Sequence, residues 1–142
     1  MKKRVVITGL GAITPIGKTV DEMWDGILKK RCGIDEIKLF DASDFKTKFD
    51  AEIKDYNPLD YFELKQAKRF DRSSQFAVIA AREAFKDSGI NEENTDFKKV
   101  GVFVSSGIGG LTTIQEQCET NHIKGQHGGN LHLFPSFQWP LC

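Results

Sequence analysis

No stretch of this chain approaches the roughly 18 consecutive apolar residues that a bilayer-crossing helix needs, so no membrane span is read from it. Cysteine is scarce and odd in number. Cys32, Cys118 and Cys142 are the 3 present, without Cys-x-x-Cys spacing, which argues against a disulfide framework and for reduced thiols in a cytoplasm. Charge of one sign is missing: 20 basic residues balance 20 acidic ones. Nothing in that balance gathers nucleic acid or an anionic membrane. A long hydrophobic run is also missing behind Met1-Lys2-Lys3-Arg4, whose charge resembles the start of a secretion signal. Val5-Val6-Ile7 meets Thr8-Gly9 at once, so these residues read as a charged lead-in to a cytosolic first strand. No internal repeat or low-complexity segment is visible. What is there, 142 residues of which 39% are hydrophobic, suffices for one domain with its own core.

Arg4 to Thr8 reads as a strand, with three β-branched residues in a row suited to a sheet buried on both faces. A glycine-rich turn follows. Thr19-Val20-Asp21-Glu22 matches a capping box that opens a helix, and Val20, Met23, Trp24, Ile27 and Leu28 form its apolar face. Gly33 is placed to end that helix. Residues 34 to 57 lack a sustained period and predict a long loop with short strands, closed by Asn57-Pro58. A short helix is predicted over Leu59–Lys68, and a longer, centrally buried one over Ser73–Ser88 that ends at Gly89. Val100 to Val104 predicts the second strand, and Thr112 to about Cys118 a further helix. Strands alternating with helices imply an α/β layer structure.

Two glycine loops admit ligand readings. Gly9-x-Gly11 leaves a strand towards a helix, as a dinucleotide fingerprint does, but Thr14 stands where its third glycine belongs, with Pro15 behind it. A sharp strand-to-helix turn is the reading favoured. Ser105-Ser106-Gly107-Ile108-Gly109-Gly110 lacks the leading glycine of a nucleophile elbow, because Val104 occupies that position. It reads as a turn at the carboxyl edge of a strand, where α/β proteins commonly bind ligands. Cys118 and His122 share a helical face, with His127 and His132 further on. No second cysteine or carboxylate pair completes a zinc tetrahedron, so no metal site is assigned.

Taken in order, Val5 to Gly17, Arg69-Phe70-Asp71-Arg72-Ser73-Ser74-Gln75-Phe76-Ala77 and Ser105 to Gly110 resemble the opening of a β-ketoacyl-acyl carrier protein synthase. The likeness is to the II-type condensing enzyme of bacterial fatty acid synthesis. It covers about residues 1–125 and implies an α/β fold. That fold is the amino-terminal part of one half of a thiolase-like structure, an incomplete sheet with layered helices. Members work as homodimers without a cofactor. A cysteine at a helix start takes the acyl group as a thioester; two histidines assist decarboxylation of malonyl-carrier protein and stabilise the oxyanion and enolate. The chemistry is sound, since a helix dipole stabilises the thiolate and preorganised donors the oxyanion.

None of those three catalytic residues is matched here. Cys32 lies just past the first helix, Cys118 on a helix that is not catalytic in the family, and Cys142 is the last residue of the sequence. The resemblance carries over Lys65, Lys68 and Arg69 as a basic cluster that docks the acidic acyl carrier protein, beside the alternative of a merely solvated helix face. It carries over Ile108 as a residue bounding the acyl pocket, beside the alternative of an apolar residue in a glycine loop. Residues 126–142 do not resemble the family. A shifted reading frame accommodates Ser-Pro-Phe and then Pro-Met-Ala-Ile in place of Leu131 to Cys142, so a frameshift near Gln126 is expected. The chain alone is expected to be inactive, located in the cytoplasm, and free of contact with nucleic acid or membrane. The alternative function is a non-catalytic module that binds acyl carrier protein; a nucleotide-binding domain ranks third.

Overall fold

The computed structural model describes residues 3–124, and the tail expected from 126 onward, with His127, His132 and Cys142, lies outside them. The chain divides into two compact units. Of the described residues, one comprises 3–56 and Ile79–Val100, the other Asn57–Val78 and 101–124.

In the first unit, helix α1 spans Val20–Leu28. The Thr19 hydroxyl caps it by accepting from the Glu22 N–H at 3.2 Å, as the sequence predicts. The reciprocal bond is shifted by one residue, since the Glu22 carboxylate accepts from the Lys18 N–H at 2.7 Å. The helix ends earlier than Gly33. Lys30 N–H reaches Ile27 O at 3.0 Å and Arg31 N–H reaches Gly26 O at 2.8 Å, the paired bonds of a Schellman motif. That motif needs a left-handed residue between them, and Lys30 takes the role at φ 53. The apolar face of α1 is only partly covered among the described residues: Val20 and Met23 are half-buried, whereas Trp24, Ile27 and Leu28 are 58%, 47% and 65% exposed.

The loop that follows carries a minimal antiparallel ladder, β1 (Asp35–Glu36) with β2 (Phe49–Asp50), pairing Asp35 with Asp50 and Glu36 with Phe49. Its anchor is a buried carboxylate. Glu52 accepts from the N–H groups of Lys38 and Leu39 at 3.1–3.2 Å. Lys54 pairs with Asp35 beside the ladder.

In the second unit Asn57 caps a 3-10 turn, Pro58–Asp60, by accepting from the Leu59 N–H at 3.1 Å. Helix α2 then spans Leu64–Arg69, so the single helix predicted from Leu59 is two short pieces. Helix α3, Arg72–Ser88, contributes its first turns to this unit and its remainder to the other, and Gly89 at φ 65 terminates it as predicted. Only Gln75 and Ile79 of α3 are buried, so the expectation of a helix buried on nearly every side is not met among the described residues. Helix α4, Leu111–Lys124, runs six residues beyond the predicted end.

Both predicted strands are corrected. Neither Arg4 to Thr8 nor Val100 to Val104 enters a ladder. Val5 and Ile7 are 93% and 83% exposed and Phe103 is 97% exposed. The physical reason is that a strand is stabilised by cross-strand pairing and facing side chains. These segments have the composition of buried strands but meet no strand partner among the described residues.

Candidate functional site: the basic helix corner and the glycine loops

The segment Arg69 to Ala77 builds a tight corner between α2 and α3. Asp71 opens α3. Its carboxylate accepts from the Ser74 N–H at 2.9 Å and from the Ser73 and Ser74 hydroxyls at 2.6 and 3.2 Å, while its carbonyl accepts the first helical bond from Gln75 N–H at 2.9 Å. Partial burial pushes the Asp71 carboxyl upward, but the Ser73 and Ser74 hydrogen bonds outweigh it and hold the group below its ordinary value. Behind the corner, Phe62 is buried and meets Phe70 edge-to-face at 5.8 Å between ring centres. Arg72 lies over the Phe76 ring at 5.0 Å.

Gln75 closes the corner from within. Only 5% exposed, its amide nitrogen donates to Ala67 O at 3.0 Å and to Phe70 O at 2.9 Å. These are carbonyls at the carboxyl end of α2, where helical partners run out. Both partners are acceptors, so the amide is fixed with its NH2 towards them.

Lys65, Lys68 and Arg69 all stand on α2 and are exposed. Their i, i+3, i+4 spacing puts them on one helical face. Among the described residues none of them joins an ion pair. Lys68 and Arg69 in the last turn complement the helix dipole, whereas three like charges at this spacing repel one another.

The loop before α4 is shaped by Gly109, at φ 80. The Gly109 N–H donates to the Ser106 hydroxyl oxygen at 3.0 Å. Gly110 allows a close approach in the same unit, because a Cβ there would sit 2.9 Å from the Asp71 carboxyl carbon. The sequence-predicted Ile108 lies in this loop, 71% exposed. Cys32 and Cys118 are exposed free thiols, and His122 is exposed on α4. Among the described residues no three His, Cys, Asp or Glu side chains gather as a metal site, and no helix is long and apolar enough to cross a membrane.

In the first unit the Gly9–Gly17 loop has its own anion. The Glu83 carboxylate on α3 accepts from the Ala12 N–H at 2.8 Å and from the Val20 N–H, at the start of α1, at 2.9 Å. Asp87, one turn on, accepts from the Leu10 N–H at 2.9 Å. Gly9 and Gly11 lie against the α3 backbone, where a Cβ would stand 2.1 Å from Ala84 O and 1.9 Å from Ala80 O. The glycines therefore serve close packing, and side-chain carboxylates hold amides that a phosphate would need.

Comparison with known proteins agrees with this architecture. The family described as "Beta-ketoacyl synthase, N-terminal domain" matches residues 2–136. The chain belongs to the β-ketoacyl synthase family. Among curated relatives, the 3-oxoacyl-[acyl-carrier-protein] synthase 2 of Synechocystis is 48% identical over 118 residues, 82% of this chain and 28% of the relative. Those of Coxiella burnetii and Staphylococcus aureus strain N315 are 43% and 42% identical, over 83% and 80% of this chain and 28% and 27% of theirs. The chain thus spans little more than a quarter of the curated relatives it matches.

Of solved structures, the ishigamide ketosynthase/chain length factor superposes with TM-score 0.68 at 27% identity, over 90% of this chain and 32% of that one. A ketosynthase bound to a hexaketide, solved with its type II polyketide acyl carrier protein, gives TM-score 0.72 at 24% identity, over 93% of this chain and 34% of its own. The fold is accordingly the partial thiolase-like α/β fold of the ketosynthases.

Membership of the β-ketoacyl synthase family is legible in the sequence; the residues that hold the corner and the loop are not. Asp71 followed by Ser73 and Ser74 has the look of an N-cap and could have been found that way. Gln75, Glu83 and Asp87 carry no such signal, since each is one polar residue on a helix whose partner is distant backbone.

Proposed function

We propose that this chain serves β-ketoacyl-acyl carrier protein synthesis, the condensation of an acyl thioester with malonyl-acyl carrier protein in fatty acid elongation. In this reading α2 is its carrier-protein docking element. The observation that carries the reading is the face formed by Lys65, Lys68 and Arg69, exposed and outside any ion pair among the described residues. Three clustered cations tax a six-residue helix and bring no internal partner, which suits a surface kept for an acidic protein. Ile108, exposed in its glycine loop, is the residue of this stretch that bounds the acyl pocket. The stretch supplies neither the nucleophilic cysteine nor the two histidines, so no residue of it is assigned a catalytic role. The protein works in the cytoplasm, and the assembled synthase is a homodimer.

The test is binding of purified holo-acyl carrier protein by the chain and by its Lys68→Glu/Arg69→Glu variant at two salt concentrations. Association that weakens with salt and is lost on charge reversal supports docking through α2. Unchanged binding by the variant overturns it. A parallel condensation assay separates the two functions: no product from the chain with binding retained favours the non-catalytic carrier-protein module for the isolated protein.

A further inference from the structure

We infer that Gln75 is a positioning residue for the basic face of α2, setting the orientation in which Lys65, Lys68 and Arg69 meet an acidic carrier protein. The inference rests on the docking reading above and deepens it. A six-residue helix makes few internal hydrogen bonds and has little stability of its own, and the glutamate that precedes α2 provides no side-chain cap. Its carboxyl end is held from outside. The Gln75 amide spans Ala67 O and Phe70 O, and the bonds bracket Lys68 and Arg69 in sequence.

Gln75 itself rises from the first turn of α3, whose backbone is fixed by the Asp71 cap. The direction of the basic face is thereby referred to α3 through one buried amide. Both NH2 hydrogens are committed, both to acceptors, so a side chain of equal length without donors takes one hydrogen bond from each of these two carbonyls. Being buried, Gln75 acts on the carrier protein only through α2.

The test is a double-mutant cycle between Gln75→Met and Arg69→Ala in the full chain, read as affinity for holo-acyl carrier protein. Hydrogen exchange is followed at residues 64–70 and, as a control, in α1. Gln75→Met keeps length and removes the donors. It should weaken binding about tenfold, equivalent to about 1.4 kcal/mol, speed exchange at 64–70 and leave α1 exchange unchanged. Combined with Arg69→Ala, the loss should fall well short of the sum of the single losses, because a disoriented helix no longer profits fully from Arg69.

Binding by Gln75→Met equal to the parent, strict additivity in the cycle, or equal acceleration of exchange in α1 would each overturn the inference. If Gln75→Met does not fold, Gln75→His, which keeps one ring N–H donor, enters the same cycle and should lie between the parent and loss. Parent binding that is insensitive to Arg69→Ala and to charge reversal would instead bring down the docking reading, and with it the inference. That pattern is distinct from docking that persists without dependence on Gln75.

Discussion

The carboxylate of Glu83, on α3, accepts from the backbone N–H of Ala12 at 2.8 Å, across 71 residues of sequence. The same carboxylate takes the Val20 N–H at the start of α1. One side chain therefore ties a glycine loop and a helix start to α3. Amides of this loop that a phosphate would need already face carboxylates.

Replacing Glu83 by Gln keeps the shape but offers one oxygen where two N–H groups point, so one amide faces an NH2. Both donors are only part-buried, so the expected loss is about 1 kcal/mol, the low end of the cost of a donor left without its partner. Urea unfolding of Glu83→Gln checks this. The corollary is that nucleotides should not raise the thermal midpoint of the parent protein; a clear rise would restore a phosphate site to the Gly9–Gly11 loop.

A stabilising change is expected at Lys30. The Schellman bonds from Lys30 and Arg31 to Ile27 and Gly26 require a left-handed residue, and Lys30 meets that need at φ 53 despite its Cβ. A glycine carries no such strain. Lys30→Gly should gain about 1 kcal/mol of stability, seen as a higher urea midpoint with unchanged slope. A loss of stability would mean that the glycine's greater unfolded-state freedom outweighs the relieved strain.

What can be read in the chain alone divides along a physical line. Helices are local: the Thr19 cap, the Gly89 stop and the helical period of α3 are written within a few residues of each other and stand where expected. Strands are not local. Val5 to Ile7 and Val102 to Val104 have strand composition, yet a strand is completed by a neighbour, and no ladder forms at either segment among the described residues. The end of α1 departs from the expectation because glycine is the favoured left-handed residue, and here a lysine takes that position three residues before Gly33. The basic cluster of α2 is carried over from the family resemblance, and its common face follows from the i, i+3, i+4 spacing once that stretch is a helix. Gln75 and Glu83 are not legible, since the importance of each comes from carbonyl or amide partners that no spacing rule connects to it.

The Asp71 cap offers a test that separates charge from geometry. Asp and Asn cap helices about equally, whereas Ala does not, so Asp71→Ala should cost about 0.5–2 kcal/mol at neutral pH and Asp71→Asn much less. The parent and Asp71→Asn are then compared as the solution is acidified. The folded-state value of Asp71 is depressed below the ordinary 3.8 by the Ser73 and Ser74 hydrogen bonds, which outweigh the opposing effect of burial. Its ionised form therefore contributes stability that is fully present above about pH 4–5 and is lost as pH falls through the folded value. The amide of the Asp71→Asn variant has no such titration. The stability of the parent relative to Asp71→Asn should accordingly be greatest at neutral pH, begin to shrink below about pH 4, and reach its floor once the folded carboxyl is protonated. Urea midpoints of both proteins, taken from about pH 7 downward through 5, 4 and 3 and on into more acidic solution, measure it. Parallel curves across the whole range would show that the Ser73 and Ser74 bonds leave the Asp71 proton equilibrium unchanged on folding, and that the corner is held by geometry with no contribution from charge.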